Sequence, residues 1–242
     1  MTKTLCLDFG NTRLKTALFE NGELKEIFVL NGDALHHLQQ IIEQHRPTSS
    51  ILSSVVNHDA QIEDLLLSTT QFHKLSNQSR LPFSIPVGKP ETVGADRLAI
   101  AAACVYLFPK KNNLVIGLGS CITYNFINQS NELIGGAISP GMEIRFKAMH
   151  HFTARLPLVS ADWNVPLIGY DTKTNLQTGV VLGISKEIDG MIEAYMEKFG
   201  NFNAVLTGGD IAIFQPHLKS KIFADPDLIF KGLYAISQIN HA

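Results

Sequence analysis

One stretch of the chain recurs 109 positions further on, and this constrains the fold more than any other feature. LCLDFGNTRLKTALFENGEL begins at Leu5 and LVIGLGSCITYNFINQSNEL at Leu114, so that Gly10 matches Gly119, Glu23 matches Glu132 and Leu24 matches Leu133. Each copy reads as an apolar strand, a small-residue turn, a second strand, another turn and the start of a third strand. In the first copy the second turn is Asn21-Gly22, a strong hairpin signal. The two copies fall into register strand for strand and turn for turn. They predict two duplicated lobes around a cleft.

The remaining segments fit the same plan. Leu35, Leu38, Ile41 and Ile42 fall at helical spacing between Asp33 and His45, with Pro47 just beyond. Ile51 to Val56 reads as a buried strand, Ala60 to Leu67 as a short helix and Gln71 to Leu75 as a further strand. Three prolines and a glycine between Leu81 and Pro90 mark a loop, and Gly94 to Phe108 is an alanine-rich helix stopped by Pro109. In the second half, helices are expected at Met142 to His151, Asn175 to Phe199 and Asp227 to Ile239. A loop is expected from Pro157 to Asp171, and a strand at Ala204 to Leu206 runs into Thr207-Gly208-Gly209. The order βββαβα, twice, predicts an α/β protein of mixed sheets flanked by helices, with lobes at 1–109 and 110–242.

Composition removes several function classes. Twenty basic and 22 acidic side chains give a net charge of −2, without the dense positive field that nucleic acid requires. No window approaches 18 uninterrupted apolar residues, so no membrane span is expected. Cys6, Cys104 and Cys121 are odd in number and far apart, and the N-terminus lacks the pattern of a secretion signal. A cytoplasmic protein is expected. His36-His37 and His150-His151 are neighbours in predicted helices and cannot ligate one metal from a shared face. Cys104 reads as a small core residue, and Trp163 as a packing or interface residue.

Chemistry concentrates at the glycine turns. At Asp8-Phe9-Gly10-Asn11-Thr12 a glycine lets the backbone approach a ligand, and Lys15 offers a point charge. Asp8 at the strand end could hold Mg²⁺ while the turn cradles phosphates; an ordinary hairpin with a turn-forming Asp has the same residues. Gly119-Ser120 and Thr207-Gly208-Gly209 repeat the pattern after strands. There is no Walker A loop, because Gly88-Lys89 runs into Pro90, and no GxGxxG follows a strand. Gly94-Ala95-Asp96-Arg97 opens a helix, where Asp96 could accept a proton from a hydroxyl and Arg97 could grip a carboxylate. Acids at helix starts also serve the dipole alone.

DFGNTRLK (8–15), GADR (94–97), GGAISPG (135–141), ARLP (154–157), TGGD (207–210) and DPDLIFKGL (225–233), in this order and spacing, resemble the type III pantothenate kinases. That family belongs with the acetate kinases, sugar kinases, heat-shock chaperones and actin, whose lobes are actin-like and ribonuclease H-like. The resemblance implies ATP-dependent phosphorylation of pantothenate, the first step of coenzyme A biosynthesis. It implies a first phosphate loop of Asp8, Phe9, Gly10, Asn11, Thr12, Arg13, Leu14 and Lys15, with Asp8 near Mg²⁺. Gly94, Ala95, Asp96 and Arg97 would line the pantothenate site, with Asp96 as catalytic proton acceptor and Arg97 near the substrate carboxylate. Ser120 takes the place of a threonine that touches ATP, and Thr172 matches a threonine that contacts pantothenate. A homodimer and a monovalent cation, potassium or ammonium, are implied as well.

Three positions depart from the family pattern. The second loop usually reads DFGTATT and here reads GLGSCIT, so Gly117 stands where the carboxylate of the cation site is expected. Asn125 replaces an acid, and Val87 stands where a tyrosine often lines the pantothenate pocket. Gly117 is also the best argument for a different class, a non-catalytic nucleotide-binding regulatory relative. A sugar or acetate kinase would share the phosphate loops but leave GADR unexplained.

Overall fold

A computed structural model describes residues 2–241, which divide into two compact units. The first holds the chain up to Lys110, the segment Gln129–Ile134 and everything described from Asp227 onward; the second holds Lys111–Asn128 and Gly135–Pro226.

The first unit opens with β1 (Lys3–Phe9), β2 (Leu14–Glu20) and β3 (Glu23–Leu30). These form an antiparallel meander. Helix α1 (Ala34–His45) starts at Asp33, whose side chain accepts the His36 N–H at 3.1 Å, and stops where Arg46 turns left-handed. Strand β4 (Ser49–Ser54), helix α2 (Ala60–Thr69) and β5 (Gln71–Lys74) follow, both strands running parallel to β1. The sheet order is β3-β2-β1-β4-β5. Leu5, Leu7 and Phe9 alternate onto one face and pack with Leu38, Ile41, Ile62 and Leu66 of α1 and α2. Cys6 and Asp8 therefore point to the other face.

That other face is covered by α3 (Ala95–Leu107) and, from the far end of the chain, by the last helix. In the loop before α3, Ser84 exchanges backbone hydrogen bonds with Asn131 and Leu133.

The second unit repeats the plan with β6 (Asn113–Leu118), β7 (Cys121–Ile127), β8 (Leu133–Pro140), α4 (Met142–Phe152), α5 (Thr172–Phe199), β9 (Asn203–Gly208), a four-residue α6 (Ile211–Phe214) and β10 (Phe223–Ala224). Its sheet order, β8-β7-β6-β9-β10, is the first sheet's order strand for strand. The duplication is thus one of topology as well as sequence. Helix α5 begins three residues earlier than its apolar spacing suggests. Asp171 and Thr174 form a reciprocal capping box that carries the first turn through polar residues. Its Leu176, Val180, Ile184 and Ile188 pack on Leu114, Ile116, Tyr124 and Phe126.

Two expectations are corrected. The first is the register of the repeat across the turn. Pairing closes at Phe9 with Leu14 in one hairpin and at Leu118 with Ile122 in the other, so the second turn is one residue shorter. Gly10 N–H reaches Arg13 O at 3.2 Å, whereas Gly119 N–H reaches Cys121 O at the same distance. Thr123, rather than Tyr124, therefore stands opposite Gly117 as Lys15 stands opposite Asp8.

The second is the division at 110–242. The closing helix α7 (Leu228–Asn240) belongs to the first unit, because it packs on α3 and against β1 and β4. Gly232 makes this possible: a Cβ there would lie 1.8 Å from the Ala99 carbonyl oxygen. The alanines of α3 and Cys104, all fully buried from Ala101 to Cys104, are the small surface that such a close crossing needs.

Candidate active site

Asp8 lies one residue before the end of β1, with Lys15 of β2 as its antiparallel partner and Ser53 of β4 as its parallel one. Asp96 sits in the first turn of α3, which packs over the same side of the sheet. Burial, and then the facing Asp96 carboxylate, push the Asp8 carboxyl up to about 7, against the downward pull of Lys15. Two like charges held together out of water form a poor resting arrangement and a good receptor for a cation.

Gly94 caps α3 without a side-chain bond, and its missing Cβ has a specific use. A Cβ there would lie 2.6 Å from Asp96 Oδ1, so the Asp96 carboxylate folds back over the glycine. This is the physical content of the GADR spacing. Arg97, one residue on, leaves the helix in a different direction and is partly exposed.

The first turn offers a surface for phosphates. Asn11, Thr12 and Arg13 are exposed, Gly10, Leu14 and Lys15 are partly buried, and Phe9 is fully buried beneath them. Phe9 is braced from below by the edge of the His58 ring at 5.2 Å. His58 in turn meets Ser54 Oγ at 3.1 Å and Glu63 at 2.9 Å. Among the described residues no three His, Cys, Asp or Glu side chains gather as a metal site. Magnesium, which keeps several waters and takes one or two carboxylates beside substrate phosphates, fits Asp8 with Asp96 nearby.

In the second unit, the Gly119-Ser120-Cys121 turn is held by its neighbours. The Gly141 N–H donates to the Ser120 carbonyl at 2.9 Å. Arg145 fixes the chain just before Gly141, donating to Pro140 O at 2.9 Å and Ser139 Oγ at 3.0 Å, and it pairs with Glu187. Glu187 also accepts the buried Tyr124 hydroxyl at 3.1 Å. Thr172 is the exposed first residue of α5.

The residues singled out from sequence thus fall into two groups. Asp8, Lys15 and Asp96 are brought together in the first unit, beside Gly94, Ala95 and Arg97. Ser120 and Thr172 belong to the second unit. Arg145 and Glu187 were not singled out, because a partly exposed ion pair between two helices has no sequence signature. Ser53 was passed over inside an apolar run; its position within Ile51 to Val56 was the available signal.

The monovalent cation implied by the family resemblance does not fit the second hairpin. Gly117 has no side chain, and its strand partners are Thr123 and Thr207. The fully buried Asn125 turns its amide nitrogen to Val115 O and Thr123 Oγ1. A hard cation finds no carboxylate among these residues.

A family model described as type III pantothenate kinase matches residues 4–194. A type III pantothenate kinase from Cytophaga hutchinsonii is 40% identical over 237 residues, covering 98% of this chain and 99% of its own. In structure, a protein described as a Baf family transcriptional activator from Campylobacter jejuni superposes with a TM-score of 0.60 at 23% identity, over 98% of each chain. An inorganic polyphosphate/ATP-glucomannokinase from Arthrobacter gives 0.51 at 15% identity over the whole of both. At these identities the two structures speak for the fold alone, two duplicated actin-like lobes, as expected from the repeat. The full-length sequence match speaks for more: this chain belongs to the type III pantothenate kinase family.

Proposed function

We propose that the chain transfers the terminal phosphoryl group of ATP to pantothenate, giving 4′-phosphopantothenate, the first step of coenzyme A biosynthesis. Within the site, the observation that carries this reading is the facing pair Asp8 and Asp96 beside an exposed glycine turn and Lys15. Family membership supplies the substrate.

Asp96 accepts the proton of the attacking pantothenate hydroxyl. Phosphoryl transfer has a loose transition state in which the hydroxyl is deprotonated late, so a well-placed carboxylate suffices. Its placement over Gly94 fixes it without a rigid side-chain bond. Arg97 takes the substrate carboxylate in its planar fork. The backbone of the turn at 10–13 and the ammonium of Lys15 hold phosphate oxygens, and Asp8 would hold magnesium, which would supply charge neutralisation at the phosphates. By the family resemblance, contact with ATP is assigned to Ser120 and contact with pantothenate to Thr172.

The homodimer is part of this reading. Phe152, Leu167, Ile168 and Tyr170 are each more than 80% exposed, and Trp163 is 63% exposed, all within one stretch from the last residue of α4 to the start of α5. Apolar side chains so clustered in sequence and so exposed call for a covering surface, and a second copy of the chain supplies it. The site of action is the cytoplasm; among the described residues no helix is long and apolar enough to cross a membrane.

The test is direct. Purified protein with magnesium and ATP is expected to release ADP only when pantothenate is present, with 4′-phosphopantothenate identified by mass. Binding of ATP with no pantothenate-dependent turnover in sodium, potassium or ammonium would instead make the chain a non-catalytic nucleotide-binding relative.

A further inference from the structure

We propose that the buried hydroxyl of Ser53 is a positioning residue of the magnesium site, donating its hydrogen bond to the Asp8 side chain when that side chain holds the cation. The inference rests on the reading of Asp8 given above.

Ser53 is fully buried, and among the described residues its Oγ has no hydrogen-bond partner. Its direction is set by the sheet. Thr4 and Ser49 are registered partners on β1 and β4, and their hydroxyls meet at 2.8 Å on a shared face. Four residues further along both strands, an even step that preserves the face, the registered partners are Asp8 and Ser53. The alternate residues of β4 point the opposite way, since Ser50 bonds Thr70 at the end of α2 and Ser54 meets His58. Ser53 therefore faces the side where α3 packs, which is the side of Asp96.

An unpartnered buried hydroxyl destabilises a resting fold, and alanine would fill nearly the same space without that cost. Among the described residues nothing accepts from this donor. Its registered neighbour is a carboxyl group, and a carboxylate that holds a cation through one oxygen still has lone pairs to accept a hydrogen bond. A donor on the adjacent strand then fixes which lone pair is left for the cation. This is the supporting role that groups behind metal ligands commonly play.

The experiment measures magnesium binding calorimetrically with a non-hydrolysable ATP analogue present, alongside thermal denaturation of the cation-free protein. Ser53→Ala is expected to weaken magnesium binding by roughly tenfold, within the range typical of such supporting groups, while its Tm equals or exceeds that of the parent. Ser53→Thr, which keeps the hydroxyl, is expected to bind magnesium like the parent. In an Asp8→Asn background, Ser53→Ala should cause no additional loss. Parental magnesium affinity in Ser53→Ala would overturn the proposal. So would a loss that persists in the Asp8→Asn background, or one accompanied by a lowered Tm, since each marks a merely structural hydroxyl. If the parent itself bound no magnesium with the analogue, the reading of Asp8 would fail first and take the proposal with it.

Discussion

Asp8, one residue before the end of β1, feels the charge of Asp96 in the first turn of α3, and burial together with that second carboxylate pushes the Asp8 carboxyl up to about 7. The folded chain thus keeps a proton on Asp8 that the unfolded chain, with an ordinary carboxyl near 3.8, has already released. The stability this group contributes is full below about pH 4 and is lost as pH rises through about 7. Asp8→Asn, free of that charge, is expected to be more stable than the parent at pH 8, by up to about 4 kcal/mol. The advantage should vanish near pH 4. Thermal scans without magnesium at the two pH values check this, and an equal gain at both would contradict it.

Replacing Asp96 by Asn keeps the shape of the side chain and removes the proton acceptor. Turnover is expected to fall by about 10²–10⁴, with the KM for ATP within a few-fold of the parent and an unchanged circular dichroism spectrum. A parental kcat would show that the base lies elsewhere.

Gly94→Ala tests the support under that carboxylate. The new methyl would stand 2.6 Å from Asp96 Oδ1, and the end of a flexible side chain yields more easily than a helix does. The expected outcome is a kcat lowered by about tenfold or more, because small misplacements of a catalytic group are expensive. The Tm should change little, and a large drop in Tm with normal kcat would refute the argument.

Gly117 and Thr123 stand in the second hairpin where Asp8 and Lys15 stand in the first. With neither charge present, the reaction is expected to run at the same rate in sodium, potassium or ammonium at fixed ionic strength. Steady-state assays in the three salts decide it. A strong potassium requirement would mean that oxygen ligands outside this hairpin hold the ion.

The apolar stretch between α4 and α5 predicts assembly. Sedimentation equilibrium is expected to give a dimer for the parent, and Leu167→Asp with Ile168→Asp is expected to give monomers, because two buried charges without partners oppose association. A monomeric parent would refute it.

Much of this was legible in the chain itself. Alternating Leu5, Leu7 and Phe9 set one face of β1, and the recurrence of Gly10 at Gly119 announced a second sheet of the same order. The helices followed from apolar spacing and from Asp33 and Pro109. Short-range signals of this kind survive folding because they are properties of backbone geometry and local burial. The start of α5 was missed by three residues because a polar capping box, rather than an apolar stripe, makes its first turn.

The sequence by itself determined the duplicated lobes, the glycine turns and the residues from which the proposed phosphoryl-transfer site is drawn. Only the tertiary structure decided that α7, last in the chain, covers the sheet that begins it, because the closeness of Gly232 to Ala99 joins residues 133 positions apart. It likewise decided that the Asp96 charge acts on Asp8 and that Ser53 is buried with no hydrogen-bond partner for its Oγ among the described residues. Charge coupling and desolvation depend on what surrounds a group in space, and residues at 8, 53 and 96 become neighbours only when strand register and helix packing bring them together.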